Sequence, residues 1–494
     1  MSSDYDKLEQ KVKKIVNLEE AVEVLHWDQE VMMPEGGAKA RSQQLSTISG
    51  LQHRLLQSDE LSEIIESLDS KNLSEGEAAV LREISREHER SKKVDSQLVE
   101  KISEQSSATL EKWKEAREKN DFSIVQSELE ELIDLKREYA RQIDADKEAY
   151  KVLFDDYEPY IEFETMEKIM ERLKKNLVPV IDEIKSSGTE IGNVFEVDVD
   201  EETQEEVNQE ILDVLGYDME RGRLDVSEHP FTVGNQFDAR ITTRYSEEDI
   251  SKSVMPTIHE FGHALYELGL PQENYGLPTG QSRDLSIHES QSRLWENHIG
   301  RSKQFWKCIL PNLKQVQGFE DLTAQECYNS INRVKKNNLI RVEADELTYH
   351  LHVVLRFELE RKLINGDIEV QELPQKWNDK MEEFLGLRPE NPKEGVLQDI
   401  HWFQGSIGYF TTYSLGSVIA AQLFSAMRNE IDGLDQKIEE GEFGVVRSWL
   451  RENIHEHGKL YRTEELVEKA TGEKPTADYF IEYVKEKYSE IYDM

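Results

Sequence analysis

The sequence predicts a mainly α-helical fold, and three observations carry that prediction. Apolar residues recur at helical spacing along most of the 494 residues. The stretch from about 40 to 150 is long, highly charged and free of glycine and proline after residue 76. Only two segments have the alternating or β-branched character of strands.

In order along the chain, Leu8, Val12, Ile15, Val22 and Leu25 share one helix face, and Pro34, Gly36 and Gly37 end that segment. The charged stretch predicts two or three long helices packed as a hairpin or bundle. A further helix opens at Thr165, a residue suited to an N-cap, and runs towards Ser186. "NVFEVDVD" at 193–200 and "GNQFDARITTRY" at 234–245 read as strands. The helix carrying His259 follows, and Gly269, Pro271, Gly276, Pro278 and Gly280 then make a loop. Helical text resumes near 286 and continues to the end, with breaks near 311, 365–375 and 388–395. No internal repeat or low-complexity linker interrupts the chain. It reads as one unit over 1–494, with an N-terminal helical lid over 1–150 and a helical part over 151–494 that carries the metal motif.

The charge excludes some partners. Lys plus Arg total 60 against 101 Asp plus Glu, a net charge of −41. Such a surface repels phosphate backbones and anionic lipid, so neither nucleic acid nor membrane is an expected partner. An anionic substrate would need its own local cation. The two cysteines, Cys308 and Cys327, read as reduced thiols of a cytoplasmic protein. "MSSDYDKLEQ" lacks the basic and apolar regions of a secretion signal, and "SVIAAQLF" at 417–424 is too short to span a bilayer.

"PTIHEFGHALYEL" at 256–268 holds His259, Glu260 and His263 in the pattern H-E-x-x-H. On a helix, positions i and i+4 lie one turn apart, so both imidazoles can share one ion. Glu260 is turned away from the ion but can reach a water on it, which is the geometry of zinc hydrolases. The plainer alternative is two hydrogen-bonded histidines on a helix face. A catalytic zinc needs a third ligand, and "SIHESQSRLWEN" offers Glu289 or His288. Glu289 has a competing role, because Ser286-x-x-Glu289 matches a capping box. Glu296, two helical turns on, is a candidate to orient a ligand histidine.

These motifs stand in a wider pattern. "HPF" at 229, "DARIT" at 238, "HEFGH" at 259, "HES" at 288, "IRVEAD" at 340 and "GVLQDIHW" at 395 occur in that order. Together with "LHWDQEVMMPEGGAKARSQQLS" near the N-terminus and "GYFTTYSLG" near 416, they resemble the thermostable carboxypeptidase Taq family of metallocarboxypeptidases. The resemblance implies a neurolysin-like, nearly all-helical fold with a deep groove and a very small β-sheet near the zinc helix. It also implies a homodimer and release of single residues from peptide C-termini. It selects His259, His263 and Glu289 as ligands of a zinc ion, which cobalt can replace, and Glu260 as the base. Many zinc peptidases with a glutamate third ligand carry Asp four residues after it to hold a ligand histidine; here that position is Arg293.

A substrate with a free C-terminus calls for a groove arginine. Arg341 and Arg240 are the candidates, and the resemblance favours Arg341 as the carboxylate anchor. Arg341, Asp345 and Tyr349 fall at i, i+4 and i+8, so Arg341–Asp345 also reads as a helical ion pair, and Asp345 as a supporting residue. Gln398 and His401 in "LQDIHW", Tyr409 and Tyr413 in "GYFTTYSLG", and His229 before Pro230 complete the candidate substrate contacts. Trp27 and Asp28 read as packing for the lid. Two rival functions remain at this point: an oligopeptidase or dipeptidyl carboxypeptidase on the same fold, and a helical binding protein without catalysis. An intact Glu260 counts against the second.

Overall fold

After a first break at Pro34, Gly36 and Gly37, polar caps punctuate the N-terminal third of the computed structural model. Residues 4–494 are described; the first three residues of the expected lid lie outside them. Helix α1 (Asp4–Val31) ends before Pro34, and α2 (Ala38–Leu56) returns along it. The Ser58 hydroxyl accepts the Leu61 N–H to open α3 (Asp59–Ser67). Ser74 and Glu77 form a reciprocal capping box at α4 (Glu75–Lys93), and Asp95 caps α5 (Ser96–Lys119). Asn120, at φ 54°, ends α5 before α6 (Gln126–Ile143). The stretch predicted as two or three long helices is thus divided into five.

After α7 (Ala149–Phe154), α8 (Phe163–Ser187) begins two residues before the predicted Thr165 and stops at Gly188, at φ 71°. The strand expected at 193–200 does not form. Its alternation reflects anchoring instead: Phe195 packs on Trp306 and Phe319, and the Val194 N–H donates to Ser330 Oγ at 2.9 Å. After α9 (Glu201–Leu215) come β1 (Gly222–Val226), β2 (Thr232–Gly234) and β3 (Ala239–Thr243). Their order is β1-β3-β2, with β1 parallel and β2 antiparallel to β3. The predicted strand at 234–245 is the central strand β3. β1 and β2 are too short to show a period in sequence.

The sheet rests on α10 (Ser251–Gly269), and α11 (Leu285–Arg293) runs without a break into a π-helical turn, Leu294–Gly300. Next are α12 (Lys303–Leu313) and α13 (Ala324–Ile331). Pro311 lies inside α12, so the break predicted there falls later. Residues 332–348 are irregular except for a 3-10 turn, Arg341–Glu343. Helices α14 (Tyr349–Asn365) and α15 (Leu373–Leu385) are followed by an irregular stretch that leads to α16 (Thr411–Glu430). Then α17 (Leu434–Glu439), α18 (Gly444–Asn453), α19 (Thr463–Thr471) and α20 (Asp478–Tyr492) close the chain.

The apolar interior has two parts. Leu8, Val12, Ile15, Leu61, Ile64, Val80 and Ile84 form a small cluster with Leu277. A continuous main core begins at Val94 and takes in the remaining helices. Along the chain, Ile84 belongs to the small cluster and Val94 to the main core. Buried Trp27 ties α1 to the sheet, with the guanidinium groups of Arg223 and Arg240 over its ring at 4.9 and 4.4 Å. Among the described residues no helix is long and apolar enough to cross a membrane.

Candidate metal centre

Helix α10 presents His259 and His263 one turn apart, with ring centroids 4.9 Å from each other. Gly262 lies between them and sets how close α11 comes. A Cβ there would stand 2.6 Å from Ser292 Cα and 2.7 Å from the Gln291 carbonyl oxygen. One turn earlier on α11, a Cβ on Gly416 of α16 would stand 2.5 Å from Glu289 Cγ. Two glycines thus let three helices touch, and Glu289 is held where they meet. Its Oε2 lies 3.5 Å from His259 Nε2 and 3.4 Å from His263 Nε2.

The capping box suggested by Ser286 and Glu289 does not form. The Ser286 N–H and hydroxyl both donate to Glu158, at 2.7 Å each, which leaves Glu289 to face the histidines. His288, the other ligand candidate, is engaged behind the site. Its Nε2 lies 2.8 Å from Glu267 Oε1, and its ring stacks on His263 at 4.4 Å.

Glu296 reaches His259 from the π-helical turn, with Oε2 2.9 Å from Nδ1. That contact leaves His259 Nε2 directed at Glu289. Nδ1 of His263 is buried and has no hydrogen-bond partner among the described residues. Burial disfavours a charged His259, but Glu289 and Glu296 outweigh it and push the group up to about 10. Burial, reinforced by the nearby His288, pushes His263 down to about 3. Burial raises Glu260 above the usual carboxylate range.

Glu260 is positioned by a residue that sequence reasoning missed. The Thr232 hydroxyl donates to Glu260 Oε2 at 2.6 Å from strand β2. Its only trace in the sequence is its place directly after "HPF".

The residues present fit a divalent cation. Two imidazoles and one carboxylate offer donor atoms that all lie within 4.8 Å of one another. This is the donor set of a catalytic site that keeps a position open. The site borders a cleft of about 430 Å³ lined by His259, Glu260, Arg293, Glu296, Arg341 and Tyr349, among others. A larger cavity of about 640 Å³ lies around His298, Phe424 and Tyr483 and includes none of the three donors.

The candidate substrate contacts divide. Arg341 lines the cleft, but from the 3-10 turn rather than from a helix shared with Asp345 and Tyr349. Its Nε and Nη2 donate to Asp399 Oδ1 at 3.0 and 2.7 Å, and Nη1 donates to the Tyr349 hydroxyl at 3.0 Å. The expected Arg341–Asp345 pair is absent. Asp345 instead accepts the N–H groups of Leu347, Thr348 and Lys335, so it shapes the entry to α14 and does not support a ligand histidine.

Gln398 is a brace and has no free amide group for a substrate. Its Oε1 accepts from Arg341 N and Arg356 Nη2, and its Nε2 donates to the carbonyls of Leu339 and Glu394. Arg240 pairs with Asp238 and lies over Trp27, which clamps the N-terminal helix and keeps it out of the cleft wall. The His229 side chain is exposed, and Pro230, not His229, borders the cleft.

His401, Tyr409 and Tyr413 form one cluster. His401 Nε2 lies 3.2 Å from the Tyr413 hydroxyl, and the two tyrosine rings are 5.3 Å apart. Burial pushes His401 down to about 4 and Tyr409 up to about 12.

Comparison with known proteins decides the family. The family described as carboxypeptidase Taq (M32) metallopeptidase matches residues 7–488. The chain belongs to this family. It is a metallocarboxypeptidase, a hydrolase of peptide bonds that works with a divalent metal. It is 40% identical to thermostable carboxypeptidase 1 of Pyrococcus furiosus over 97% of each chain. Carboxypeptidase 1 of Bacillus subtilis is 35% identical, again over 97% of each. A solved structure of the Pyrococcus furiosus carboxypeptidase superposes with a TM-score of 0.95 at 39% identity, over 99% of both chains. The M32 carboxypeptidase of Deinococcus radiodurans R1 gives 0.96 at 32% identity, over 100% of both. The predicted mainly helical fold with a very small sheet is therefore that of M32 metallocarboxypeptidases.

Proposed function

We propose that this M32 enzyme removes single amino acids from peptide C-termini, with zinc held by His259, His263 and Glu289. The observation that carries this reading is the convergence of the three donors beside a buried glutamate, in a cleft that also holds Arg341. Two imidazoles with one carboxylate suit zinc, and cobalt accepts the same donors. A cation held by these residues would supply Lewis acidity towards the scissile carbonyl and a water.

The chain's own groups do the rest. Thr232 holds Oε2 of Glu260, and Oε1 takes the water's proton and delivers it to the departing amine. Burial raises the proton affinity of Glu260, which makes it a stronger base than an exposed carboxylate. Arg341, oriented by Asp399, pairs with the terminal carboxylate and sets which bond reaches the donors. Tyr409 and Tyr413, both within the field of Glu289, donate to the oxygen that gains charge. The family resemblance supports a homodimer. The two unpaired cysteines support a cytoplasmic enzyme.

The test is mass spectrometry of one unstructured peptide, free or amidated at its C-terminus, with zinc- or cobalt-loaded protein. A ladder of single-residue losses from the free form alone is expected. Equal cutting of the amidated form would retire Arg341 as the anchor and favour an oligopeptidase.

A further inference from the structure

Arg293 is the cation nearest the donors, and the roles above leave it without a part. It ends α11, one turn after Glu289, and its side chain is 16% exposed. Its Nε donates to Glu289 Oε1 at 2.7 Å and its Nη1 to Glu296 Oε2 at 2.9 Å. The guanidinium lies over the Tyr349 ring at 4.9 Å, which fixes its plane. One planar fork therefore joins the carboxylate that faces both histidines to the carboxylate that holds His259.

The two oxygens of Glu289 consequently have separate assignments. Oε1 is taken by Arg293, while Oε2 faces His259 and His263 and accepts a bond from Ser292 Oγ at 3.1 Å. A carboxylate that swung to offer both oxygens would fill a coordination position that a hydrolase must leave for water and substrate. Arg293 blocks that swing. Charge points the same way: Glu260, Glu289 and Glu296 are buried together, and Arg293 pairs with the last two while Arg301 pairs with Glu296.

We propose that Arg293 is a positioning residue that makes Glu289 a one-oxygen metal ligand and locks the Glu296 carboxylate against His259. The proposal rests on the metal-site reading above. It also gives a part to the basic residue four positions after Glu289: Glu296 holds His259, and Arg293 links that partner to the ligand.

The experiment compares wild type, Arg293→Gln and Arg293→Lys, each loaded with zinc or cobalt. The readouts are X-ray absorption at the metal edge, cobalt visible absorption and chelator competition. Circular dichroism checks folding. Wild type is expected to show a single carboxylate oxygen at the metal. Arg293→Gln should gain a second oxygen, and its cobalt band should weaken about twofold as the coordination number rises. Arg293→Lys should keep the single oxygen, because an ammonium can still hold Oε1, but should lose the tie to Glu296 and bind metal about tenfold more weakly.

A wild-type spectrum in folded Arg293→Gln overturns the proposal. Should that variant not fold, two oxygens from Glu289 in the wild type, or a wild-type metal affinity in Arg293→Lys, overturn it as well. Failure of the underlying site looks different: wild type and His259→Ala would then bind zinc equally.

Discussion

Gly262→Ala tests whether helix contact builds the metal centre. A Cβ at 262 would lie 2.6 Å from Ser292 Cα and 2.7 Å from the Gln291 carbonyl, and ordinary contact begins at 3.4 Å. Both neighbours are backbone atoms of a helix, so neither can rotate away. Helices α10 and α11 must part by roughly 0.8 Å, the difference between the needed and available distances. The two histidines travel with α10 and Glu289 with α11. Functional sites tolerate about 0.5 Å of displacement, so the three donors no longer meet on one ion. Metal affinity should fall at least about tenfold, or ~1.4 kcal/mol. Overpacking should also lower the stability of the metal-free protein by about 1–3 kcal/mol. Chelator competition with zinc measures the first effect, and urea unfolding without metal the second. Wild-type zinc affinity in a folded Gly262→Ala protein would refute the reasoning, since it would mean that the donors do not depend on this contact.

Three further outcomes are expected. Glu260→Gln should retain stoichiometric zinc and lose about 10²–10⁴-fold in kcat, as read by single-turnover hydrolysis; a near wild-type rate would remove Glu260 as the base. Arg341→Met should cost about 100-fold in kcat/KM on a free peptide and leave the low rate on its amide unchanged; an equal loss on both would give Arg341 a purely structural role. Glu360 offers a pH test remote from the metal. Burial pushes its carboxyl up to about 8, against the bonds it accepts from Trp402, Tyr150 and Gly408 and the charge of Arg356. The folded state thus keeps a proton that the unfolded chain releases near 4.5. This contribution is fully present below that value and is lost as pH rises towards 8, by up to about 1.4 kcal/mol per pH unit. Glu360→Gln should flatten the decline of the urea midpoint between about pH 5 and 8, and an unchanged slope would show that Glu360 is ionised in the fold.

What was legible in the sequence was what local geometry decides. The i, i+4 spacing of His259 and His263 needs only one helix, whereas the caps at Ser74 and Asp95, equally local, went unread and the helices they open were merged. The misreadings at the site share one cause, which is a partner distant in sequence that outbids a near one. Spacing offered Asp345 to Arg341, but 332–348 is not helical and Asp399 takes the guanidinium across 58 residues. Spacing offered Ser286 to Glu289, but Glu158 arrives from 128 residues away and satisfies the helix start. Glu296 was placed by counting α-turns, yet it reaches His259 through a π-helical turn, a distortion that clusters at functional sites. Thr232 reaches Glu260 only because β2 pairs with β3 over α10, a register with no sequence signal in a three-residue strand. The metal centre is thus half local and half tertiary. The tertiary half does leave one trace in the text, in the glycines of "HEFGH" and "YSLGS", which mark the two places where neighbouring helices come too close for any side chain.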